Sequence, residues 1–312
     1  MQEVIIIATL LAVAGVVWGE LQPLGLSGET LRQSLTSLVY ILLLPALVID
    51  VIWSAPLSVA TLQVVALATL GVFTGALIAY MGYQLLPRRW RLAPAALGSV
   101  VLAAAFPNAP YLGLPVLESV LGSDARAIAI QYDLMACTPL LLTVGVLFAA
   151  HCGSGQLTTP LWRQLLKVPP LWALLVGMTL NLLDIPKTAL PERLLSMLGN
   201  GVIPLMLISL GLSLRWQAGW LRDSKVVIPV VMIQLLITPA IIWFCAQLLH
   251  LDRFLFTAVV LEAAMPSMVL GLVIADRYRL DTHLYAIAVT LTMVVSLFTL
   301  PLWLTLIENR FL

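Results

Sequence analysis

The stretch FPNAPYLGLP, residues Phe106–Pro115, interrupts an apolar run that extends over 94–121. Its three prolines and one glycine cannot continue a regular helix, because each proline lacks an amide donor and its ring clashes with the preceding turn. A second, milder interruption, AMPSMVLG, occupies residues 264–271 of a later apolar run. Within lipid, such backbone is tolerated only where protein or a water-filled cavity satisfies its freed polar groups. We therefore expect a membrane protein built around two broken helices.

The composition indicates the same class. Apolar residues make up 61% of the 312, charged residues make up 10%, and the mean hydropathy is +1.05. Soluble domains carry about 25% charged residues, so the surface of this chain must face lipid. The net charge of +1 excludes a nucleic-acid footprint. The three cysteines have no CxxC spacing and predict neither a disulfide framework nor a zinc site.

Ten apolar runs qualify as membrane spans, for which about 20 residues are needed. They cover 3–18, 35–53, 57–86, 94–121, 124–150, 166–183, 192–213, 225–249, 253–275 and 283–307. The pattern predicts an all-α membrane protein with ten transmembrane helices, of which the fourth and the ninth are broken. No basic segment precedes the first run, so we interpret it as a membrane helix and not as a signal peptide.

The basic residues set the expected orientation of these spans. Odd-numbered loops hold eleven of the sixteen basic residues, and even-numbered loops and the termini hold five. Because cytoplasmic loops collect lysine and arginine, we predict that the odd loops are cytoplasmic and that both termini lie outside a bacterial inner membrane. The odd-loop residues are Arg32, Arg88, Arg89, Arg91, Arg163, Lys167, Arg215, Arg222, Lys225, Arg277 and Arg279.

The two halves of the chain share a pattern at an offset of 159 residues. The offset places Pro45 on Pro204, each expected in the middle of a helix, and AAFPN at 104–108 on AAMPS at 263–267. Five helices per half is an odd number, so the halves would cross the membrane in opposite directions, as in many secondary transporters. The predicted division is a first inverted repeat over 1–152, a short cytoplasmic linker over 153–164 and a second inverted repeat over 165–312.

The two breaks favour the binding of an anion. A half-helix that begins after a proline presents unpaired amides and the positive end of its dipole. Asn108 and Ser267 follow Pro107 and Pro266, are good N-cap residues, and Asn108 can also offer its amide to a ligand. Two such helix starts that meet near the midplane would hold a small organic anion without a buried cation. The alternative is a pair of kinked packing helices, since proline is common in membrane spans.

Two acids lie deep within predicted spans. Glu262 and Asp133 are each the tenth residue of their run, about 14 Å from its start. An acid at that depth usually faces a cavity, where it binds a cation or exchanges a proton. We predict that Glu262 and Asp133 are ion- or proton-coupling residues, with Gln131 beside Asp133. The alternative for both acids is a neutral, hydrogen-bonded structural role.

Signatures of other functional classes are missing from the sequence. It contains no GxxxxGK[ST] nucleotide loop and no HExxH zinc motif. It shows no serine nucleophile with a paired base, no TVGYG filter and no arginine ladder. The sequence therefore predicts neither an enzyme nor a bound cofactor.

The FPNAPYLGLP and AMPSMVLGL segments and the ten-helix frame resemble the auxin efflux carrier family over nearly the whole chain. That family includes plant PIN-type carriers and bacterial permeases assigned to malate, malonate and similar acids. The resemblance implies a fold similar to that of the bile acid:sodium symporters, in which helices four and nine cross. In that fold a transport part moves like an elevator relative to a scaffold part. A homodimer through the scaffold helices is compatible with the resemblance.

The resemblance also implies a function, namely a secondary active transporter of a mono- or dicarboxylate that works by alternating access at the crossing. The expected substrate-binding residues are Pro107, Asn108, Pro110, Tyr111, Gly113, Pro266 and Ser267. Glu262 resembles a sodium-ligand glutamate of the symporters and would place Na⁺ near Asn108, but Pro266 stands where they have glutamine, so H⁺ and Na⁺ both stay open as coupling ions. The alternative function is a ligand-gated channel, or a transporter-like sensor without coupled turnover. Besides the substrate, the expected partner is membrane lipid.

Overall fold

The computed structural model describes residues 2–85, 92–153, 160–213 and 220–311. In these ranges the chain is all-helical, and the only β-type pairing is one isolated bridge. Six helical segments of the described chain are long and apolar enough to span a membrane, and one of them, Ala189–Leu212, contains a turn at 200–201. Four shorter apolar helices accompany them. The all-α membrane class is therefore confirmed. Outside the described residues lie part of the predicted linker over 153–164 and the loop residues Arg88, Arg89, Arg91 and Arg215.

The helices are numbered here in chain order. They are α1 (Gln2–Leu21), α2 (Gly28–Ser54), α3 (Val59–Gln84), α4 (Pro94–Ala105), α5 (Ala109–Leu121), α6 (Ala125–Cys152), α7 (Leu161–Leu165), α8 (Pro169–Leu182), α9 (Ala189–Gly199), α10 (Val202–Ser213), α11 (220–248), α12 (Arg253–Ala263), α13 (Leu270–Arg277) and α14 (Thr282–Arg310). Side-chain caps start three of them. Ser27 Oγ accepts a hydrogen bond from the Thr30 amide at the start of α2. Asp252 accepts a hydrogen bond from the Leu255 amide at the start of α12, and Asp281 accepts one from the Leu284 amide at the start of α14.

The chain divides into two compact units, and each unit is drawn from three stretches. Unit 1 consists of Met1–Ser58, Pro110–Ile130 and Trp162–Arg215. Unit 2 consists of Val59–Ala109, Gln131–Leu161 and Trp216–Leu312. Both units take residues from both halves of the sequence, so the predicted repeats and the two units are different divisions of the chain.

Close helix packing within each unit depends on glycines. In unit 1, α1 meets α10 at Gly15 and Gly211, and a Cβ on Gly211 would overlap the Ala12 carbonyl. In unit 2, α3 approaches α4 at Gly75, where a Cβ would lie 2.6 Å from the Ala104 carbonyl oxygen. Small residues at such crossings let helix backbones approach closely in a membrane.

Four of the five π-helical segments in the described chain precede a proline, and the fifth is Leu141–Gly145. Each of the four ends two residues before its proline: Val39–Leu43 before Pro45, Ala109–Gly113 before Pro115, Asp133–Cys137 before Pro139, and Ile233–Ile237 before Pro239. A proline has no amide hydrogen to donate to the carbonyl four residues earlier, and its ring clashes with that carbonyl in a regular helix. The wider π turn leaves room for the carbonyl beside the proline ring. In α11 the carbonyl in question is that of Leu235, and Trp303 Nε1 donates to it at 2.8 Å. The helices therefore pass these prolines without ending.

The two predicted breaks are present, but their relative severity was predicted wrongly. Three residues, 106–108, separate α4 from α5, whereas six residues, 264–269, separate α12 from α13. The first break is short because Pro110 lies in the first turn of α5, where its missing amide is not needed, and a π segment accommodates Pro115. Pro204 was expected in the middle of a helix and lies inside the candidate span Ala189–Leu212, in the first turn of α10.

Candidate functional site

The two breaks lie side by side within unit 2. Pro107 and Ser267 form an antiparallel bridge. The Asn108 amide donates to the Pro266 carbonyl at 2.7 Å, and the Met268 amide donates to the Phe106 carbonyl at 2.8 Å. These bonds satisfy backbone groups that the prolines removed from the helices, as irregular backbone inside a membrane requires. We call residues 106–108 and 265–268 the crossing.

Ser267 stabilises the crossing and does not cap a helix. Its Oγ donates to the Ala103 carbonyl at 2.7 Å, and its amide donates to Thr292 Oγ1 at 3.1 Å. In an unbroken helix the Ala103 carbonyl would bond the amide of residue 107, and a proline at this position has none. The predicted N-cap role of Ser267 was therefore wrong, because a carbonyl on the other broken helix competes for its hydroxyl.

Asn108 is the polar group that the crossing leaves unsatisfied. Its side chain is fully buried, and neither Oδ1 nor Nδ2 has a hydrogen-bond partner among the described residues. The predicted N-cap role was therefore wrong for Asn108 as well. A buried amide without partners is costly, and such groups in native proteins call for an explanation such as a ligand. Asn108 thus offers one acceptor and two donor hydrogens at the start of a half-helix.

Three further residues support the crossing and were not identified from the sequence as part of it. Gln234 Nε2 donates to the Met265 carbonyl at 2.9 Å. Thr292 Oγ1 accepts a hydrogen bond from the Ser267 amide. Gly75 has no side chain, so α3 can lie close to the end of α4. A signal existed for Gly75, since Gly71 and Gly75 have the small-xxx-small spacing of close membrane packing. The partners of Gln234 and Thr292 depend on tertiary structure.

Both predicted acids are buried in unit 2. Glu262 is fully buried, and neither carboxyl oxygen has a hydrogen-bond partner among the described residues. Asp133 lies in the π segment of α6, and Thr138 Oγ1 donates to its Oδ1 at 3.0 Å. Gln131, predicted beside Asp133, is also buried.

The other predicted site residues are placed differently. Pro110, Tyr111 and Gly113 follow Asn108 in the chain but are grouped with unit 1. On the first broken helix, Ala103, Phe106 and Asn108 take part in the hydrogen bonds of the crossing. In the described ranges, no group of three His, Cys, Asp or Glu side chains is arranged to hold a metal ion.

The apolar helices and the bonded crossing of two broken helices define the class: a multi-pass helical membrane protein. A family model described as membrane transport protein matches residues 3–304. The chain belongs to this family, which includes the auxin efflux carriers.

Several relatives carry transporter names. An uncharacterized transporter of Methanothermobacter thermautotrophicus is 32% identical over 284 residues, which cover 91% of each chain. An uncharacterized transporter of Methanocaldococcus jannaschii is 25% identical over 72% of this chain and 73% of its own length. Auxin efflux carrier component 8 of Arabidopsis thaliana is 25% identical over 49% of this chain and 43% of its own length.

Proposed function

We propose that this protein is a secondary active transporter of a small organic anion, with a mono- or dicarboxylate such as malate or malonate as cargo. The observation that carries the proposal is Asn108, a fully buried amide with neither side-chain atom bonded in the described chain, at the start of a half-helix. The positive end of the helix dipole and the amide hydrogens of Asn108 both favour a carboxylate. The name of the Arabidopsis relative, an auxin efflux carrier, supports an exported organic cargo.

The division of the chain supports an elevator-like form of alternating access. Unit 2 contains the crossing and both buried acids, so we assign it as the transport part. Unit 1 then serves as the scaffold part and supplies the surface for a homodimer. The full proposal is ten spans in two inverted repeats, in a bacterial inner membrane, with both termini outside. The 159-residue offset between Pro107 and Pro266 supports the repeat.

Within this proposal the residues have distinct tasks. Pro107 and Pro266 create the breaks, Asn108 binds the carboxylate, and Ser267 holds the two broken helices together. Pro110, Tyr111 and Gly113 would contribute from the first turns of α5. Glu262 and Asp133 would couple transport to H⁺ or Na⁺.

A thermal-shift screen of the purified protein tests the cargo. Malate, malonate, lactate and indole-3-acetate are added with and without sodium and across a range of pH. A carboxylate that binds the folded protein raises its melting temperature. We expect Asn108→Ala to lose this stabilisation, whereas Asn200→Ala, at an exposed asparagine, keeps it.

Flux in proteoliposomes tests the same assignment. We expect Asn108→Ala to lower uptake of the stabilising carboxylate at least tenfold with normal membrane insertion. Uptake by this variant at the wild-type rate would show that the site is misplaced. Counterflow separates a carrier from a channel or sensor, since only a carrier accumulates labelled substrate against unlabelled substrate on the other side.

A further inference from the structure

Unit 2 contains buried oxygens that lack an electropositive partner. Gln234 Oε1, Thr238 Oγ1 and both carboxyl oxygens of Glu262 have no hydrogen-bond partner among the described residues. The three residues are at most 3% exposed. Because these unbonded atoms are oxygens, the missing partner is a hydrogen-bond donor or a cation. The buried polar and charged residues of the described chain include no lysine, arginine or histidine, so no buried basic side chain balances the charge of Glu262.

The side-chain amide of Gln234 has a fixed orientation. Its Nε2 lies 2.9 Å from the Met265 carbonyl oxygen and 3.5 Å from that of Ala263. Both neighbours are acceptors, so a rotated amide would place Oε1 against carbonyl oxygens. Oε1 is therefore the end of the amide that is left for a ligand. The same bonds hold the side chain at the end of α12, where Glu262 directly precedes Ala263.

Thr238 follows Gln234 by one helical turn and faces the other broken helix. A Cβ on Gly75 would lie 3.3 Å from Thr238 Oγ1 and 2.6 Å from the Ala104 carbonyl oxygen, so both oxygens lie near the same point. In an unbroken helix the Ala104 carbonyl would bond the amide of Asn108. That amide bonds the second broken helix instead. The first break therefore frees a carbonyl oxygen close to Thr238.

The π segment Ile233–Ile237 also frees the main-chain carbonyl of Gln234. The Thr238 amide donates to the Ile233 carbonyl, and the next residue, Pro239, has no amide hydrogen. The Gln234 carbonyl thus lacks the two amides that a helix could direct to it. Residues four apart are neighbours on a helix face, so Gln234 and Thr238 present their oxygens together. Unwound carbonyls of this kind coordinate Na⁺ in membrane transporters.

A proton alone would not satisfy this group of oxygens. It would neutralise Glu262 at one carboxyl oxygen, but Gln234 Oε1 is an acceptor and would still lack a partner. A hard cation bonds several oxygens at once. Asp133, the other buried acid, already accepts a hydrogen bond from Thr138. The one unbonded carboxylate balances one positive charge, which favours a monovalent cation over Ca²⁺ or Mg²⁺.

We propose that Gln234 Oε1, Thr238 Oγ1 and the carboxylate of Glu262 form a sodium site in unit 2, which the main-chain carbonyls of Gln234 and Ala104 complete. The site itself depends only on these oxygens. Its use as the coupling site rests on the proposed function. Bound Na⁺ compensates the negative charge of Glu262, so a carboxylate enters unit 2 at a lower electrostatic cost. Cargo and Na⁺ then move in the same direction.

The first test measures sodium binding without cargo. The purified full chain is unfolded by heat in sodium chloride or in choline chloride at equal ionic strength. A ligand that binds only the folded state raises the melting temperature, and the increase grows with the logarithm of ligand concentration. We expect sodium chloride to raise the melting temperature in this way. A melting temperature that is the same in both salts, as when water fills the space between the oxygens, would overturn the site.

Variants locate the site within unit 2. Thr238→Val removes the hydroxyl and keeps the shape, and we expect it and Glu262→Gln to lower the sodium affinity by roughly tenfold or more. Thr238→Ser keeps a hydroxyl and should keep the sodium shift. Thr257→Val is the matched control, because this buried hydroxyl already bonds the Arg253 carbonyl. A full sodium shift in Thr238→Val would overturn the site.

Binding of radioactive sodium to the detergent-solubilised protein provides a second readout that does not depend on unfolding. We expect saturable binding that unlabelled sodium chloride displaces and potassium chloride does not. Glu262→Gln should lose this binding, and Thr257→Val should keep it. Binding that Glu262→Gln retains in full would contradict the site.

Transport tests the coupling separately from the site. In proteoliposomes we expect an inward sodium gradient to drive accumulation of labelled malonate, and we expect Thr238→Val to lose this drive. Malonate uptake that ignores sodium, in a protein that binds sodium, would overturn the coupling and leave the site intact. Absence of any carboxylate uptake would contradict the proposed function instead, and the melting and binding measurements would still decide the site.

Discussion

The two units satisfy their polar groups within the protein by different means. In unit 1, Lys187 Nζ lies 2.7 Å from Asp50 Oδ1, and Arg126 forms a two-pronged ion pair with Glu118. In unit 2, Glu262 has no bonded partner in the described chain, and the crossing is held by bonds between backbone groups and by bonds between side chains and backbone. Paired charges have a structural role, whereas a buried acid kept without a partner marks a functional site. Under the proposed function, the acids of unit 1 contribute to stability and those of unit 2 serve transport.

The largest expected effect on stability comes from Lys187→Met in unit 1. The change leaves the carboxylate of Asp50 without its cation, at 14% side-chain exposure. We expect a loss of about 2–3 kcal/mol in the free energy of unfolding, below the value for a fully buried pair because both groups are partly exposed. Unfolding in detergent micelles measures it.

Two further variants serve as controls for Lys187→Met. The double variant Lys187→Met with Asp50→Asn should regain most of the loss, since no unpaired charge is left. In sodium-free buffer, Glu262→Gln should leave the stability unchanged or raise it. Equal losses in the free energy of unfolding for Lys187→Met and Glu262→Gln would contradict the distinction between structural acids in unit 1 and functional acids in unit 2.

Gly75→Ala tests the close approach of α3 to the broken end of α4. The new methyl group would lie 2.6 Å from the Ala104 carbonyl oxygen, and the backbone of α4 must shift. We expect a loss of about 2 kcal/mol, together with slower carboxylate flux. Gly82→Ala is the matched control on the same helix, because open space surrounds that position. If Gly75→Ala changed neither the free energy of unfolding nor the flux, α4 would be able to shift at its broken end without cost.

Ser267→Ala has a smaller expected effect and sharpens the role of the crossing. It removes the donor to the Ala103 carbonyl, which Pro107 cannot replace. We expect a loss of about 1–2 kcal/mol in the free energy of unfolding. The control is Ser119→Ala, whose hydroxyl bonds the Val116 carbonyl of its own helix, and it should cost less than about 0.5 kcal/mol. Equal effects would show that the bond from Ser267 is dispensable.

The sequence predicted the parts of the molecule that depend on local chemistry. Proline removes a donor wherever it stands, so the breaks at Pro107 and Pro266 could be predicted, as could the burial of Glu262 and Asp133. The capping roles of Asn108 and Ser267 were predicted wrongly. A cap depends on which acceptor lies nearest, and for Ser267 that acceptor belongs to a helix more than 150 residues away in sequence.

The local sequence pattern also could not predict how severely each of the two helices is broken. The density of prolines suggested that the fourth span was disturbed more than the ninth, but a π turn accommodates Pro115 in α5. The sequence FPNAPYLGLP does not by itself show at which residues the helix adopts a π turn, which contains one residue more than an α turn. The spacing of π segment and proline recurs at four places, but Pro229 and Pro301 lie inside helices without such a segment, so the pattern cannot be applied to a sequence as a rule.

The π segments change how the faces of a helix must be read. A π turn contains one more residue than an α turn, and each residue rotates the helix by about 100°. In α6 the segment Asp133–Cys137 stands before Pro139, so positions after the proline are turned relative to those before Asp133. A cysteine-accessibility scan of α6 plotted on a straight helical wheel would assign positions on the two sides of the segment to faces that do not match. Separate wheels for the residues before and after each π segment would place the water-accessible and lipid-facing positions correctly.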